Sequence, residues 1–265
     1  MLNISEGRCR PTVDGIAAVA GSARLDVHAD PHHHRMVVTL VDEDAPRAVA
    51  RAAVERLDIR SHTGAHPRIG VVDVVPFVPW KGATIADAVA ARDRFAHWIA
   101  AELGVPAFCY GPERSLPDVR HGAFRTLAPD AGPVEPHPTA GAVAVGARPG
   151  LVAWNVVLVE PDLALAKRIA AVIRGPGLRA LGLQIGDEVQ VSMNLITPEV
   201  LGPEQAWDLV AALAPVDRAE LVGLVARSVL DRIPPDRWSQ LDLSADRTVE
   251  ARLQRSGRAR GVITP

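Results

Sequence analysis

The order of apolar segments between residues 151 and 221 constrains the fold more than any other feature of the sequence. Segments rich in β-branched residues alternate with segments in which apolar residues recur every three or four positions. The predicted elements are strand 151–157, helix 162–174, strand 179–185, strand 189–196, helix 203–213 and strand 216–221. This β-α-β-β-α-β order is typical of the ferredoxin-like fold, in which an antiparallel sheet carries both helices on one face. The other face then needs a cover, which the first half of the chain could supply.

The first half of the chain also mixes helix and strand signals. The predicted elements are helix 11–23, strands 24–28 and 35–41, helix 45–57 behind Asp44 as its cap, strand 70–78, helix 84–103 and strand 107–110. Pro76 and Pro79 restrict the strand over 70–78 to a sheet edge or a strand end. Residues 111–138 are rich in proline and glycine, which predicts a linker or a surface excursion with a short helix around 115–127.

These elements predict an α/β (α+β) protein made of two packed, ferredoxin-like subdomains with mixed or antiparallel sheets and helices on the outer faces. We place the subdomain boundary near residue 149. The expected parts are an N-terminal subdomain over 1–149, a C-terminal subdomain over 150–234 and a loosely ordered tail over 235–265.

Composition excludes several classes of function. The 265 residues are 48% hydrophobic and carry a net charge of −2, which gives no bulk electrostatic support for binding nucleic acid or an anionic membrane surface. No apolar run approaches the roughly 18 residues that a membrane span needs. The two cysteines, Cys9 and Cys109, lie far apart and show no metal-ligand spacing. We therefore expect a cytoplasmic protein that acts on small molecules.

Histidine pairs are the first candidates for chemistry. His62 and His66 are four residues apart, but Gly64 and Pro67 disfavour the helix that a zinc-protease H-E-x-x-H motif requires. His28, Asp30 and His32 alternate along an extended segment and could offer two imidazoles and a carboxylate to a metal, as in a metal-dependent hydrolase. In a third interpretation one histidine is a general acid or base, because imidazole titrates near pH ~6.5.

The surroundings of His66 favour the third interpretation. Gly64 and Gly70 permit close backbone approach, Pro67 restrains the turn, and Arg68 adds a cation two residues further on. A rigid loop that carries a proton-transfer group beside an anion-binding group suits an enzyme for a carboxylate substrate. Asp73 could orient a histidine or stabilise a developing positive charge, or it could cap a strand end; both interpretations stay open.

Several segments, taken in order, resemble the glutamate formiminotransferases, which comprise the transferase portion of formiminotransferase-cyclodeaminase and its stand-alone bacterial and archaeal relatives. The similarity extends over about residues 1–232, and its most specific part is HPRIG-x-x-D-V-x-P-F-x-P. The matching segments are NISEGR (3–8), LDVHADPHHHRMVVTL (25–40), HTGAHPRIGVVDVVPFVP (62–79), GAVAVGARPGLVAWNV (141–156), ALGLQI (180–185), VQVSMNL (189–195) and ELVGLV (220–225).

The resemblance implies transfer of a formimino group from N-formiminoglutamate to N5 of tetrahydrofolate, a late step of histidine degradation. It implies tetrahydrofolate as co-substrate, no metal, and His66 as the catalytic acid and base, with Asp73 beside it. A homodimer is a further expectation. The residues expected to bind donor or folate are Asn3, Ser5, Glu6, Arg8, His28, Asp30, Arg35, His62 and Arg68.

The sequence also departs from the family pattern. His28 replaces an acidic residue, with Asp30 two positions on, and His34 replaces an asparagine. Ser61 and Ala65 stand where an arginine and a glutamate are usual. These departures keep two alternatives open: a folate-dependent transferase with another donor, such as N-formylglutamate or a different amidine, and a folate-binding protein without catalysis.

Overall fold

The structure is a computed structural model, which describes residues 2–64 and 67–257 and the backbone of 263–264. Its internal contacts divide the chain into two units, residues 1–149 with 258–265 and residues 150–257. No helix in the described parts of the chain is long and apolar enough to cross a membrane.

The described residues form the predicted strands and helices in the predicted order, together with five strands and α-helices that were not predicted. The strands are β1 (Leu2–Ile4), β2 (Arg24–Asp30), β3 (Arg35–Val41), β4 (Val72–Phe77), β5 (Ala107–Tyr110), β6 (Val143–Ala147), β7 (Val152–Leu158), β8 (Leu178–Ile185), β9 (Glu188–Leu195), β10 (Val216–Val222) and β11 (Ile263–Thr264). The helices are α1 (Arg10–Ala18), α2 (Asp44–Arg56), α3 (Ile85–Leu103), α4 (Leu116–Gly122), α5 (Leu163–Ile173), α6 (Pro203–Ala211), α7 (Arg227–Leu230) and α8 (Val249–Ser256). The elements that were not predicted are β1, β6, α7, α8 and β11.

The second unit has the predicted ferredoxin-like topology. Its strands are ordered β10-β7-β9-β8, and every neighbouring pair is antiparallel. Alternate residues of the strands, including Trp154 and Val191, are buried in one cluster with residues of α5 and α6. The predicted fold class is therefore confirmed for this unit.

The first unit repeats the same order and then extends it. Its elements β1-α1-β2-β3-α2-β4 form an antiparallel arrangement β2-β3-β1-β4. Two further strands, β6 and β5, add in parallel beyond β4, and β11 pairs with the end of β3. The sheet is therefore mixed, as predicted, and the addition brings α4 into this unit.

The prediction that residues 70–78 form an edge strand or a strand end is wrong. β4 is fully buried and lies between β1 and β6. β1 is only three residues long and pairs with Val72 and Val74, so Pro76 lies beyond its reach. The missing N–H of Pro76 therefore removes no ladder hydrogen bond on the β1 side.

The prediction of a loose tail from residue 235 is wrong for residues 235–257. Leu241, Leu243, Val249 and Leu253 in this stretch are buried. The indole N–H of Trp154 donates to the carbonyl of Leu241 over 3.0 Å. Residues 235–257 are therefore part of the core of the second unit.

Residues 111–138 form a surface excursion of the first unit and not a linker. The helix α4 within it begins with a capping box formed by Ser115 and Asp118. Its Val119 is buried in a cluster with Phe108 and Tyr110 of β5. This packing fixes α4 on the sheet and determines where its polar residues point.

Candidate active site

The HTGAHPRIG motif forms the loop between α2 and β4. Ala65 and His66 lie outside the described residues, so the catalytic histidine at position 66 stays a prediction. Gly70 at the end of the loop runs tightly against 140–142, where a Cβ atom would lie 2.0 Å from the carbonyl oxygen of Ala142. The glycine is therefore required by close backbone approach.

Two guanidinium groups hold this loop. Arg68 donates from Nη1 to the carbonyl of Gly64 (3.1 Å) and from Nη2 to the carbonyl of His62 (2.9 Å). Arg120, from α4, donates from Nη1 to the carbonyl of Pro67 over 2.8 Å. The chain is thus fixed by side-chain hydrogen bonds both before and after His66.

Asp73 organises the cations below the loop. Its side chain is 0% exposed and accepts hydrogen bonds from the Ile69 backbone N–H (2.8 Å), Arg35 Nη1 (2.7 Å) and Arg120 Nη2 (2.6 Å). Burial raises the pKa of Asp73, but the charges of Arg35 and Arg120 outweigh it and hold the pKa below its usual value. Among the described residues, this carboxylate binds arginines and a backbone amide and faces no histidine.

The N-terminal segment closes the same cluster. Arg35 Nε donates to Asn3 Oδ1 over 3.1 Å. Ser5 donates from its hydroxyl to the carbonyl of Gly70 and from its backbone N–H to the carbonyl of Val71, each over 2.8 Å. The structure therefore brings together four of the predicted site residues, Asn3, Ser5, Arg35 and Asp73.

Glu6 shapes the turn that leads into α1. Its Oε1 accepts from the backbone N–H groups of Arg8 (2.7 Å) and Cys9 (2.9 Å), and His34 Nε2 lies 3.4 Å away. Burial raises the pKa of Glu6, but these amides and His34 bring it below its usual value. At Gly7 a Cβ atom would lie 2.3 Å from the Asp30 carbonyl oxygen, so the segment packs directly on the β2–β3 turn.

Two imidazoles stack beside the loop. The rings of His34 and His62 are 4.0 Å apart and inclined by 15°. His62 Nε2 is 2.8 Å from the carbonyl oxygen of His34, and because a carbonyl only accepts, Nε2 carries the proton. Burial lowers the pKa of His62, which favours the neutral ring. Its Nδ1 is then a buried acceptor that has no hydrogen-bond partner within 2–64 or 67–257.

The remaining predicted residues have local partners. Asp30 Oδ1 accepts from the backbone N–H groups of His32 and His33, each at 2.7 Å, so its carboxylate shapes the turn. Arg8 is exposed and donates to the carbonyl of Pro31 (2.8 Å) and to Thr63 Oγ1 (3.4 Å). His28 lies on β2 opposite Val37.

The structure gives no support to the alternative metal site at His28, Asp30 and His32. Among the described residues, no group of three histidine, cysteine, aspartate or glutamate side chains is placed to hold a metal ion. The carboxylate of Asp30 is directed to backbone amides instead.

Sequence reasoning missed Arg120. A signal for its helix was present, since Ser115 and Asp118 have capping-box spacing. Nothing local could indicate that this arginine reaches Asp73, which lies 47 residues earlier in the chain.

The cluster around the loop is electropositive. It contains the guanidinium groups of Arg8, Arg35, Arg68 and Arg120 and the carboxylates of Glu6, Asp30 and Asp73, so its formal charge is 4 − 3 = +1. An excess of positive charge beside a restrained histidine-bearing loop suits the binding of an anionic substrate and proton transfer to or from it.

Comparison with known proteins identifies the family. Residues 1–148 match the formiminotransferase domain, N-terminal subdomain. The chain is 40% identical to a glutamate formimidoyltransferase of Streptococcus pyogenes over 74% of this chain and 76% of that protein. It is 34% identical to a glutamate formimidoyltransferase of Thermoplasma acidophilum, over 86% and 88%. It is 35% identical to the formimidoyltransferase-cyclodeaminase of Sus scrofa over 86% of this chain but only 50% of that relative. The chain therefore belongs to the formiminotransferase family, as its motifs predict.

Proposed function

We propose that this protein transfers the formimino group of N-formiminoglutamate to N5 of tetrahydrofolate, giving 5-formiminotetrahydrofolate and glutamate. The names of the relatives from Streptococcus pyogenes and Thermoplasma acidophilum support this reaction. The observation that carries it is the loop around His66, which arginine side chains hold on both sides within an electropositive cluster.

The reaction needs one group that can take and return a proton. N5 attacks the amidine carbon of the donor, and the new N–C bond gives a tetrahedral adduct. His66 accepts the proton that N5 loses and then gives it to the departing glutamate nitrogen, whose bond to carbon breaks. Proton balance is kept, since the imidazole ends neutral as it began.

The cations serve recognition of carboxylates in this proposal. Arg8 is exposed beside the loop and Arg68 lies on it, and we assign both to the carboxylates of the donor or of the folate tail. Asn3, Ser5, Glu6, His28 and Asp30 stay predicted lining residues.

Arg35 and Asp73 act less directly. Asp73 is fully buried and engaged by two arginines, so we assign it the role of ordering the site rather than touching the substrate. Arg35 is held by Asp73 and Asn3 on the sheet. The predicted catalytic role of Asp73 thus becomes a positioning role in this proposal.

A second donor is the alternative that a specific observation favours. His34, which replaces the usual asparagine, stacks on His62, and its backbone has a φ of 50°. This imidazole pair changes the surface beside the loop, while Ser61 removes a charge that is usual in the family. N-formylglutamate or another amidine is the donor class for this alternative.

The deciding experiment measures product formation directly. Wild type and His66→Ala are incubated with N-formiminoglutamate and tetrahydrofolate, and the 5,10-methenyltetrahydrofolate absorbance is read after acid treatment. We expect a signal in the wild type that falls by at least ~100-fold in the variant, the scale of a lost general acid and base. His97→Ala is the matched control, because His97 is exposed on α3 and bonds the carbonyl of Asp93 in its own helix.

Each other outcome has a definite meaning. Turnover only with N-formylglutamate or another amidine would replace the donor and keep the site. Equal activity in wild type and His66→Ala would remove the role of His66. Tetrahydrofolate binding without turnover of any donor would leave a folate-binding protein.

Cytoplasmic location and a homodimer complete the proposal. Cys9 and Cys109 are both free thiols, which suits a reducing compartment. Sedimentation at micromolar concentration would test the oligomeric state, and a monomer at that concentration would contradict the homodimer.

A further inference from the structure

We propose that Arg120 is a positioning residue, which presets the loop carrying His66 by fixing the carbonyl of Pro67 to the buried carboxylate of Asp73. This inference rests on the proposed function, because it assigns Arg120 to the reaction that His66 performs. It places a residue of α4, which lies outside the segments on which the resemblance rests, in support of the catalytic machinery.

The geometry makes Arg120 a bridge. Its Nη1 donates to the Pro67 carbonyl over 2.8 Å, and its Nη2 donates to Asp73 Oδ2 over 2.6 Å. Asp73 Oδ1 also accepts from the Ile69 backbone N–H. Residues 67 and 69 are thus tied to one buried anion, directly at Ile69 and through Arg120 at Pro67.

The bridge complements Arg68. Arg68 fixes the carbonyls of His62 and Gly64, which precede His66, whereas Arg120 fixes the carbonyl that follows it. Ordering a loop residue costs conformational entropy. Hydrogen bonds that order the loop before the substrate binds mean that this entropy is lost during folding and not during catalysis. A misplacement of a reacting group by about 1 Å can lower the rate by ~100-fold.

A purely structural role for Arg120 does not explain the arrangement. The helix α4 is already anchored by Val119, which packs on Phe108 and Tyr110, and by its capping box. Substrate binding is not the better explanation either, because the side chain is only 19% exposed and its hydrogen bonds to described residues end on Pro67 and Asp73.

The first test is Arg120→Met, which keeps the length of the side chain and removes its charge and donors. We expect kcat to fall by roughly 10–100-fold, the scale of a small misplacement of the reacting group, with KM for both substrates within about 3-fold. Guanidinium ion added to Arg120→Ala should restore part of the lost kcat.

The matched control is Arg114→Met. Arg114 also lies beside α4 and pairs with a carboxylate, Asp130, over 2.8 Å, and its side chain is 27% exposed. Its substitution should leave kcat unchanged. An equal loss in both variants, or a loss in KM alone for Arg120→Met, would overturn the proposal.

The second test uses the pH profile of kcat/KM. His66 must be neutral to accept a proton, so activity falls on the acid side of its pKa. Arg120→Met removes a positive charge and should move this acid limb to higher pH, whereas Asp73→Asn removes a negative charge and should move it lower. Shifts of roughly 0.5 pH units, in opposite directions, are expected for the removal of single charges beside a partly solvated loop.

Other charged groups of the cluster stay constant in this comparison. They are Arg8, Glu6 and Asp30 near the N-terminal segment, Arg35 on β3 and Arg68 on the loop, with the stacked imidazoles of His34 and His62 beside them. A structural defect would lower activity in both variants without opposite shifts, and that result would contradict the proposal.

A readout without activity separates this inference from the proposed reaction. Hydrogen exchange of the backbone amides in residues 62–69 should be faster in Arg120→Met than in wild type or Arg114→Met. If the wild type shows no formiminotransferase activity but exchange is still faster in Arg120→Met than in the wild type, the positioning role is kept and the proposed reaction is rejected. Unchanged exchange would reject the positioning role whatever the reaction is.

Discussion

Gly64 shows how little room the loop between α2 and β4 has at the scale of one residue. A Cβ atom there would lie 2.6 Å from the His33 carbonyl oxygen and 3.0 Å from both His34 Cβ and His62 Cε1. We expect Gly64→Ala to push the loop away from the stacked imidazoles and to lower kcat/KM by about 10-fold or more, because positioning errors act on rate.

The measurement is steady-state kinetics of Gly64→Ala beside Gly175→Ala. Gly175 has open space around its Cα position, so its methyl group meets no atom within 4 Å. A kcat/KM for Gly64→Ala equal to that of the control would show that the loop tolerates this displacement.

Residue identities in the site were easier to predict than residue roles. The motifs predict Asn3, Arg35 and Asp73, which form one hydrogen-bonded cluster, and Ser5, which bonds the neighbouring backbone at Gly70. Their roles depend on partners distant in sequence, such as the contact between Arg35 and Asp73 over 38 residues. Asp30 was assigned to substrate, yet the string Asp-Pro-His-His favours the local turn that it forms.

The helix α4 is the element that connects the added strands to the loop. It has only seven residues, so its start depends strongly on the Ser115 cap, whose hydroxyl accepts from the Asp118 backbone N–H over 3.3 Å. Removing an N-cap costs about 1 kcal/mol. We expect Ser115→Ala to loosen the helix that carries Arg120 and to lower kcat several-fold.

Thr84→Ala provides a matched comparison for this prediction. Thr84 caps the 19-residue helix α3 with the same capping-box arrangement, its hydroxyl accepting from the Asp87 N–H over 3.2 Å. The midpoint temperature of thermal unfolding should fall by a similar amount in both variants, but kcat should fall only in Ser115→Ala. Equal kcat values for Ser115→Ala and Thr84→Ala would show that the stability of α4 does not affect catalysis.

Element boundaries followed from local signals, and strand partners did not. Thr84 and Gly104 mark the ends of α3 in the sequence, and the structure places its N-cap and its left-handed C-cap there. The interior position of β4 was missed because it depends on β1 and β6, and β6 follows β4 by about 70 residues. Periodicity reports the local backbone, whereas sheet order depends on contacts across the chain.

At the scale of the whole molecule, both units use the β-α-β-β-α-β order, but the first unit carries the site because of its additions. The elements α3, β5, α4 and β6 follow β4 and extend its sheet. They bring Arg120 against Asp73 at the start of β4. The common fold therefore supplies the sheet, and the extension supplies a support for the loop.

The C-terminal residues of the second unit are part of its core, so a chain that ends at Ile233 should not fold normally. This truncation removes four buried apolar side chains, Leu241, Leu243, Val249 and Leu253. At roughly 1.5–3 kcal/mol each, their loss is about 6–12 kcal/mol, comparable with the stability of a whole domain.

Urea unfolding, followed by tryptophan fluorescence, would test this prediction. A chain that ends at Gly257 keeps all four side chains and should unfold at the urea concentration of the full chain for the second unit. If the chain that ends at Ile233 unfolds in urea as sharply and at the same concentration as the full chain, residues 235–257 do not contribute to the core of the second unit.

The pH dependence of stability should have two stages. The folded state lowers the pKa of His62, so below the ordinary histidine value near ~6.5 the unfolded chain binds more protons than the folded one, and the free energy of unfolding decreases as pH falls. The folded state also lowers the pKa of Glu6 and Asp73, whose contribution to the free energy of unfolding is lost at lower pH, as each carboxylate is protonated.

Urea unfolding between pH 7 and 3 should show both stages. His62→Gln should flatten the first stage and keep the second. The control His97→Gln, on α3, should keep both stages. Parallel profiles for His62→Gln and wild type between pH 7 and 5 would show that the protonation of His62 is not coupled to folding.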